Sequence, residues 1–280
     1  LSVDPSDNLI DIEGDVYYNG NPDAWLNAAR AIKARHTLQL SKRNGYDAFS
    51  AALALTDAFS SNADNMKCPF PVGTMNPLYQ FMEQRAGDIV MCSTLLNEME
   101  ANSDPRIPFY FTVDSDGGIS GSDPGSENDR ASLPGKHLAG QTQATFLMTY
   151  PELKFIEAEA ALMSGDADRA ASAYKAGVAA SLHLVTGDAN TAWLDTHINT
   201  EDAGSITLEK IIMQKRHALV GQLQPYSDWR RTGIPGLTLV PGATLPAIPQ
   251  RYPYSQNERI YNPDNVPSIP DITQPVWWAK

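Results

Sequence analysis

Apolar residues recur at three- and four-residue intervals over much of this chain, and the elements they predict are almost all helices. Trp25, Ala28, Ile32 and Leu40 fall on one face of a helix that Asp23 can cap and that runs to about Ser41. Phe49, Ala52, Leu55 and Phe59 mark a second amphipathic helix, and the Asn44-Gly45 turn between them predicts an antiparallel pair. Asp88 opens a helix through Ile89, Cys92, Leu96 and Met99. From Pro151 to Met163 the buried stripe is Leu153, Ile156, Ala160 and Met163, and Gly165 ends the helix. Asp168 to His183 follows, rich in Ala around Tyr174 and Val178. A short loop and small facing residues suit a tetratricopeptide-like pair, although no clean repeat period emerges. A last long helix starts at a Thr207 cap with Glu209 in its first turn and carries Leu208, Ile211, Ile212, Ala218, Leu219 and Leu223. Pro225 predicts a kink or stop, and Gly233 and Pro235 close the following Asp228-Trp229-Arg230-Arg231 segment.

The intervening stretches read as loops. Residues 4–20 are turn-rich, 62–79 are rich in Asn, Pro and Gly, and 115–140 form the longest loop, dense in Gly, Ser, Asp and Pro. Ile107 to Val113 alternates bulky side chains and is the one predicted strand. Asp188 to Asp202 is a loop or short helix around Trp193. Beyond Gly236, eight prolines from Pro241 to Pro275 (Pro270 among them) exclude long helices, so order there falls to Tyr252, Tyr254, Tyr261, Trp277 and Trp278. The fold class is therefore mainly α, with tetratricopeptide-like helix pairs packed against a loop-rich, Pro-rich irregular region.

Composition narrows the function classes. With 280 residues and 42% hydrophobic content the chain can bury a sizeable core. A net charge of −12 argues against nucleic-acid binding, which calls for a basic face. No apolar run reaches the length of a membrane span. Cys68 and Cys92 are too few for a disulfide scaffold and read as buried thiols, with a bridge as the alternative.

No catalytic signature emerges. Gly118-Ile119-Ser120-Gly121 misplaces the second glycine of a nucleophile elbow, the five His residues form no zinc helix, and no phosphate loop is present. Glu157 and Glu159 lie two apart and diverge on a helix, a poor glycosidase pair. Asp114, Asp116 and Asp123 form a carboxylate-rich loop without EF-hand spacing, a weak calcium candidate beside the solvated-turn reading. Arg230 and Arg231, next to Asp228, read as a clamp tying the Pro-rich tail to the last helix. Trp25 and Trp229 read as core, and Trp277 and Trp278 as packing for the chain end. Trp193, among Thr and Asp residues, is the nominated platform for stacking on a sugar face; Tyr79, Phe109 and Tyr110, with Asn76 nearby as a polar group, are further nominees.

The segment Ile206 to Pro235 resembles the C-terminal region of SusD/RagB proteins, in the branch with the tandem-Arg ending. The resemblance extends through Asp15-Val16-Tyr17-Tyr18-Asn19-Gly20, Trp25, Lys33-Ala34-Arg35, Asn76-Pro77-Leu78-Tyr79, Asp104-Pro105-Arg106, Glu157-Ala158-Glu159-Ala160 and Ala173-Tyr174-Lys175-Ala176-Gly177-Val178. It continues in Arg251-Tyr252-Pro253-Tyr254, Glu258, Asn262, Asn265 and Trp277-Trp278. No one piece is specific; the ordered set is. It implies one SusD-like domain over 1–280, helical at 21–104 and 150–232 and loop-rich at 105–149 and 233–280. It also implies a chain incomplete at its N-terminus, where members carry a lipidated Cys. The implied function is binding of a nutrient oligosaccharide at the cell surface of a Gram-negative bacterium, as an outer-membrane lipoprotein. Delivery would be to a SusC-like TonB-dependent barrel, with no cofactor and no catalysis; peptide binding and a helical protein-binding scaffold are the alternatives. Within the resemblance, Glu157 accepts bonds from Arg or backbone donors at a repeat junction.

Overall fold

The computed structural model describes residues 14–267 and 272–280. The turn-rich reading of residues 4–13 and the position of Pro270 lie outside the described residues. In chain order the helices are α1 (Pro22–Gln39), α2 (Ser41–Asn44), α3 (Tyr46–Leu53), α4 (Pro77–Gln84), α5 (Ser93–Glu100), α6 (Ile107–Tyr110) and α7 (Lys136–Ala139). Then come α8 (Tyr150–Met163), α9 (Ala167–Thr186), α10 (Thr191–His197), α11 (Leu208–Ala218), α12 (Gln224–Thr232) and α13 (Gln256–Tyr261). Strands β1 (Met66–Cys68) and β2 (Thr145–Met148) pair antiparallel, with Lys67 opposite Phe146.

The architecture is mainly α, and α8 is its axis. Thr149 caps α8 by accepting from the Glu152 amide, and Pro151 occupies the first turn, where no backbone donor is needed. Leu153, Ile156 and Ala160 face one core with Ala28, Ala31, Leu38, Phe49 and Phe59. Phe155, Ala158 and Ala161 face a second core with Ala170, Tyr174, Val178, Leu182 and Ile211. A helix apolar on opposite sides must be covered on both. Gly177 lets α9 approach closely: a Cβ there would stand 3.2 Å from the Phe155 ring. Met163, placed on the buried stripe by its spacing, is instead 46% exposed, because the α8–α9 turn begins at that level.

A third core joins Leu95, Leu96 and Met99 of α5 to Tyr110, Phe111 and Val185. Here two sequence expectations are corrected. The segment Ile107–Val113 is not a strand: Pro108 starts the short helix α6, and only Phe111 and Thr112 are extended, pairing with Pro134 and Leu133. Likewise α5 begins at Ser93 rather than Asp88, because Met91 and Ser93 make backbone bonds to Ser122 and Ser132 of the long loop. Gly121 permits that approach, since a Cβ would fall 2.3 Å from the Ser93 Cα. The strand pair itself lies in stretches whose sequence reads as loop. The second helix also stops early, at Leu53, and Leu55 and Phe59 reach the core from a turn.

The N-terminal turn is built around Asp15, which accepts from the Tyr17 and Gly20 amides and from Trp25 Nε1 at 2.8 Å. Trp25 is therefore no core residue; it is 36% exposed and meets Tyr17 and Tyr18 edge-on. At the other end the aromatic anchors of the tail are corrected too. Tyr252, Tyr254, Tyr261 and Trp277 are all exposed. The tail is held by Tyr226 Oη donating to the Pro249 carbonyl, Arg251 donating to the Gln274 carbonyl, and Trp278 packed on Arg230. No described helix is long and apolar enough to cross a membrane.

Candidate functional site

Helix α11 is fixed by polar bonds on several sides. Arg106, fully buried, grips Asp104 through Nε (2.9 Å) and Nη2 (2.6 Å), and also donates to Ser181 Oγ and to Gln214 Oε1 of α11. Two oxygens against a planar fork make a directional, charge-assisted joint. Tyr110 Oη donates to the His217 carbonyl at 2.9 Å, and Arg216 Nε donates to Glu98 of α5 at 2.9 Å. Lys215 pairs with Asp228 of α12 at 2.8 Å.

The outward side of this joint is a groove of about 520 Å³ between α5, α10 and α11. Trp193 and His197 come from α10, Glu98 from α5, and Glu209, Lys210, Met213, Gln214 and His217 from α11; Asn102, Tyr174 and Glu201 complete the polar wall. The Trp193 indole is half-buried, donates Nε1–H to the Asn102 carbonyl at 2.8 Å, and has the His197 ring 5.0 Å away. Lys210 has all three of its donors engaged, by both Glu201 oxygens (2.8 and 2.7 Å) and the Ser205 carbonyl (2.9 Å).

Titration follows from these contacts. Burial alone would raise the Glu98 pKa, but His217 and Arg216 beside it hold it below the ordinary carboxylate range. Burial pushes His217 down, so its ring is neutral at pH 7; Nε2 makes a long 3.4 Å contact with Glu98, and Nδ1 has no partner. The groove thus offers an aromatic wall with carboxylate and amide acceptors.

The remaining nominees are not brought to this groove. Tyr110 is withdrawn as a ligand contact: it is completely buried, on a helix rather than a loop, with its hydroxyl committed to α11. Phe109 packs beside the third core with the Lys136 ammonium 4.0 Å over its ring. Asn76 is 3% exposed; its oxygen caps α4 by accepting from Leu78 and Tyr79, and its amide donates to Gln143. Tyr79 is half-buried on α4. Asn76 does border a second cavity of about 600 Å³, but that one is walled mainly by Leu138, Phe146, Leu147, Leu184 and Val220.

The calcium candidate is also corrected. Asp114 accepts from its own loop amides, Asp116 pairs with Arg130, and Asp123 accepts from Ser93 Oγ at 2.5 Å, so the three carboxylates point to separate partners. Among the described residues no group of three metal-ligating side chains converges. Both thiols are free; Cys92 is exposed and Cys68 half-buried, not the buried pair expected, because Cys92 precedes α5 at the surface.

Glu157 accepts from Lys154 and Arg169 across the α8–α9 junction, at 2.7 and 2.8 Å. Of the two tandem arginines, Arg230 lies between the Tyr226 and Trp278 rings and donates to the Gln250 carbonyl of the tail. Arg231 does not reach the tail. It turns inward to both Glu159 oxygens, to Asp228 and to Ser41. Trp229 is half-buried, stacked on Tyr226 at 6.0 Å.

Sequence reasoning found Trp193 but missed Glu98, Asn102, His197, Glu201, Glu209, Lys210, Met213 and His217. Part of the signal was there: Glu209, Met213 and His217 stand four apart, on one stripe beside the apolar stripe of α11.

A SusD-like family model described as starch-binding and associating with outer membrane matches residues 2–255. No curated protein matches the chain. Among solved structures, a chitin-binding protein is 24% identical with a TM-score of 0.79, over 96% of this chain and 68% of its own. A chitin-binding SusD homologue from Flavobacterium johnsoniae is 23% identical, TM-score 0.78, over 95% and 66%. A SusD/RagB family protein from Bacteroides thetaiotaomicron is 23% identical, TM-score 0.76, over 97% and 68%. At these identities the structural likeness establishes the fold, and this chain spans about two thirds of each neighbour's length.

Proposed function

This chain belongs to the SusD/RagB family, and on that premise we propose that it binds a nutrient oligosaccharide non-covalently in the Trp193 groove and delivers it to a SusC-like, TonB-dependent outer-membrane barrel. The observation that carries the binding reading is the half-buried Trp193 ring in a groove lined by Glu98, Asn102, Glu201 and Gln214. An indole supplies a flat apolar surface for a sugar face, and carboxylate and amide groups at its edge bond hydroxyls. The chitin-binding neighbours favour a glycan over a peptide. The proposed place of action is the outer-membrane surface, through a lipid anchor.

Binding without turnover is favoured by the state of the acids. A glycosidase needs one carboxyl held protonated near neutral pH. Glu98 is pushed the other way, and Glu201 is held by Lys210. Affinity electrophoresis of the protein through gels containing a panel of glycans checks the proposal. Retardation by at least one glycan, relieved in Trp193→Ala, is expected. Retardation unaffected by that substitution moves the site elsewhere, and migration unchanged in every gel rejects glycan binding.

A further inference from the structure

The groove around Trp193 carries three carboxylates, Glu98, Glu201 and Glu209, against one ammonium, Lys210. Their states differ. Glu98 is engaged by Arg216, and Glu201 by Lys210 and Ser205. Glu209 is exposed, in the first turn of α11, and makes no hydrogen bond or ion pair among the described residues. Lys210 in turn has no donor left for a ligand, because three acceptors already surround it. The buried His217 adds no positive charge at pH 7, and its Nδ1 lacks a partner.

A ligand carrying a carboxylate or sulfate therefore meets no free ammonium or guanidinium in this groove and faces an unneutralised Glu209. A ligand carrying an ammonium meets the opposite: a free carboxylate, and the indole of Trp193, whose face attracts cations. We infer that Glu209 sets the charge preference of the groove, selecting sugars that bear an amino group, then neutral sugars, and rejecting uronic or sulfated ones. The inference names the substrate class of the site proposed above and rests on that reading. Glu209 is exposed and its removal leaves the Thr207 cap of α11 in place, so substitution changes charge without dismantling the wall.

The experiment follows the Trp193 indole N–H resonance, assigned by its loss in Trp193→Phe, during titration at pH 7 with three methyl glycosides of one ring geometry. These are methyl β-glucoside, its 2-amino counterpart and methyl β-glucuronide. One partly solvated charge pair predicts roughly threefold to fivefold tighter binding of the amino sugar than of the glucoside, with weaker or no binding of the glucuronide. Glu209→Gln collapses that ranking toward unity, and Glu209→Lys inverts it. High salt shrinks the ranking in the native protein as well. If the glucoside perturbs Trp193 but the glucuronide does so equally well, or if Glu209→Gln leaves the ranking intact, the charge inference is overturned and glycan binding stands. If none of the three perturbs Trp193, both fall.

Discussion

Arg106 is the joint through which the floor of the groove is held, and its loss has a calculable cost. The guanidinium is completely buried and makes four side-chain hydrogen bonds, two to Asp104 and one each to Ser181 and Gln214. Arg106→Met keeps most of the volume and the apolar stem but leaves Asp104, 3% exposed, as a buried carboxylate with only the residue 106 backbone amide to bond. Breaking a buried pair on one side costs about 3–5 kcal/mol. For a chain of this size that lowers Tm by roughly 6–20 °C. Asp104→Asn added to Arg106→Met removes the stranded charge, so the double variant recovers about 2 kcal/mol of the single variant's loss, the non-additivity expected of contacting groups. The sign of the pH dependence follows as well. In the native protein Arg106 overcomes the effect of burial and holds the Asp104 pKa below its ordinary 3.8, so its stabilisation is present above pH 3.8 and is lost as pH falls through the lower folded value. Without the arginine, burial raises that pKa, and the gap between variant and native protein narrows as pH falls from 7 towards 4. Urea denaturation of the native, single and double variants at pH 7 and pH 4.5 measures all of this. A loss below about 1 kcal/mol for Arg106→Met, or strict additivity in the double variant, refutes the claim that this buried pair fixes α11.

Two further outcomes are expected from the packing. His137 lies between the Phe146 ring (5.9 Å, stacked) and Tyr110 (5.6 Å, edge-on), and burial lowers its pKa from 6.5 to about 4. The neutral ring is fully tolerated above pH 6.5; as pH falls from there to 4 the unfolded state takes up the proton first, removing up to about 3 kcal/mol of stability. His137→Phe should abolish that acid limb of a stability–pH profile, and a limb unchanged in the variant assigns it to other groups. Gly121→Ala should cost about 1–3 kcal/mol or more, because its Cβ would fall 2.3 Å from the Ser93 backbone, whereas Gly118→Ala, with nothing nearer than 3.7 Å, should leave the urea midpoint in place. Equal midpoints for the two variants would contradict the close approach at Cys92–Ser122.

The long helices were legible because they carry both period and punctuation. Thr207 caps α11 as its position suggests, and Leu153, Ile156 and Ala160 of α8 are buried as their spacing predicts. What failed did so where long-range contacts outweigh local pattern. Ile107–Val113 alternates like a strand, but Pro108 and the grip of Arg106 on Asp104 turn its first half into a helical turn. Trp25 sits on an apolar stripe, yet Asp15 takes its indole N–H and holds it at the surface. Tyr110 was nominated for its ring, and nothing in the sequence shows that its hydroxyl meets the end of α11. The groove was half visible. An indole among polar residues singles out Trp193, whereas Glu98, Asn102 and Glu201 join it only through tertiary packing that brings α5 beside α10 and α11.

The central claim is that Trp193 is the wall on which a glycan sits. A crystal structure of the protein with an oligosaccharide that retards it in affinity gels tests this most directly. The account predicts a sugar ring stacked on the Trp193 indole, with hydroxyls bonded to groove acceptors such as Glu98, Asn102 or Glu201. Sugar density elsewhere, for instance on the exposed Tyr252 and Trp277 of the tail, with the Trp193 groove holding only solvent, would contradict it.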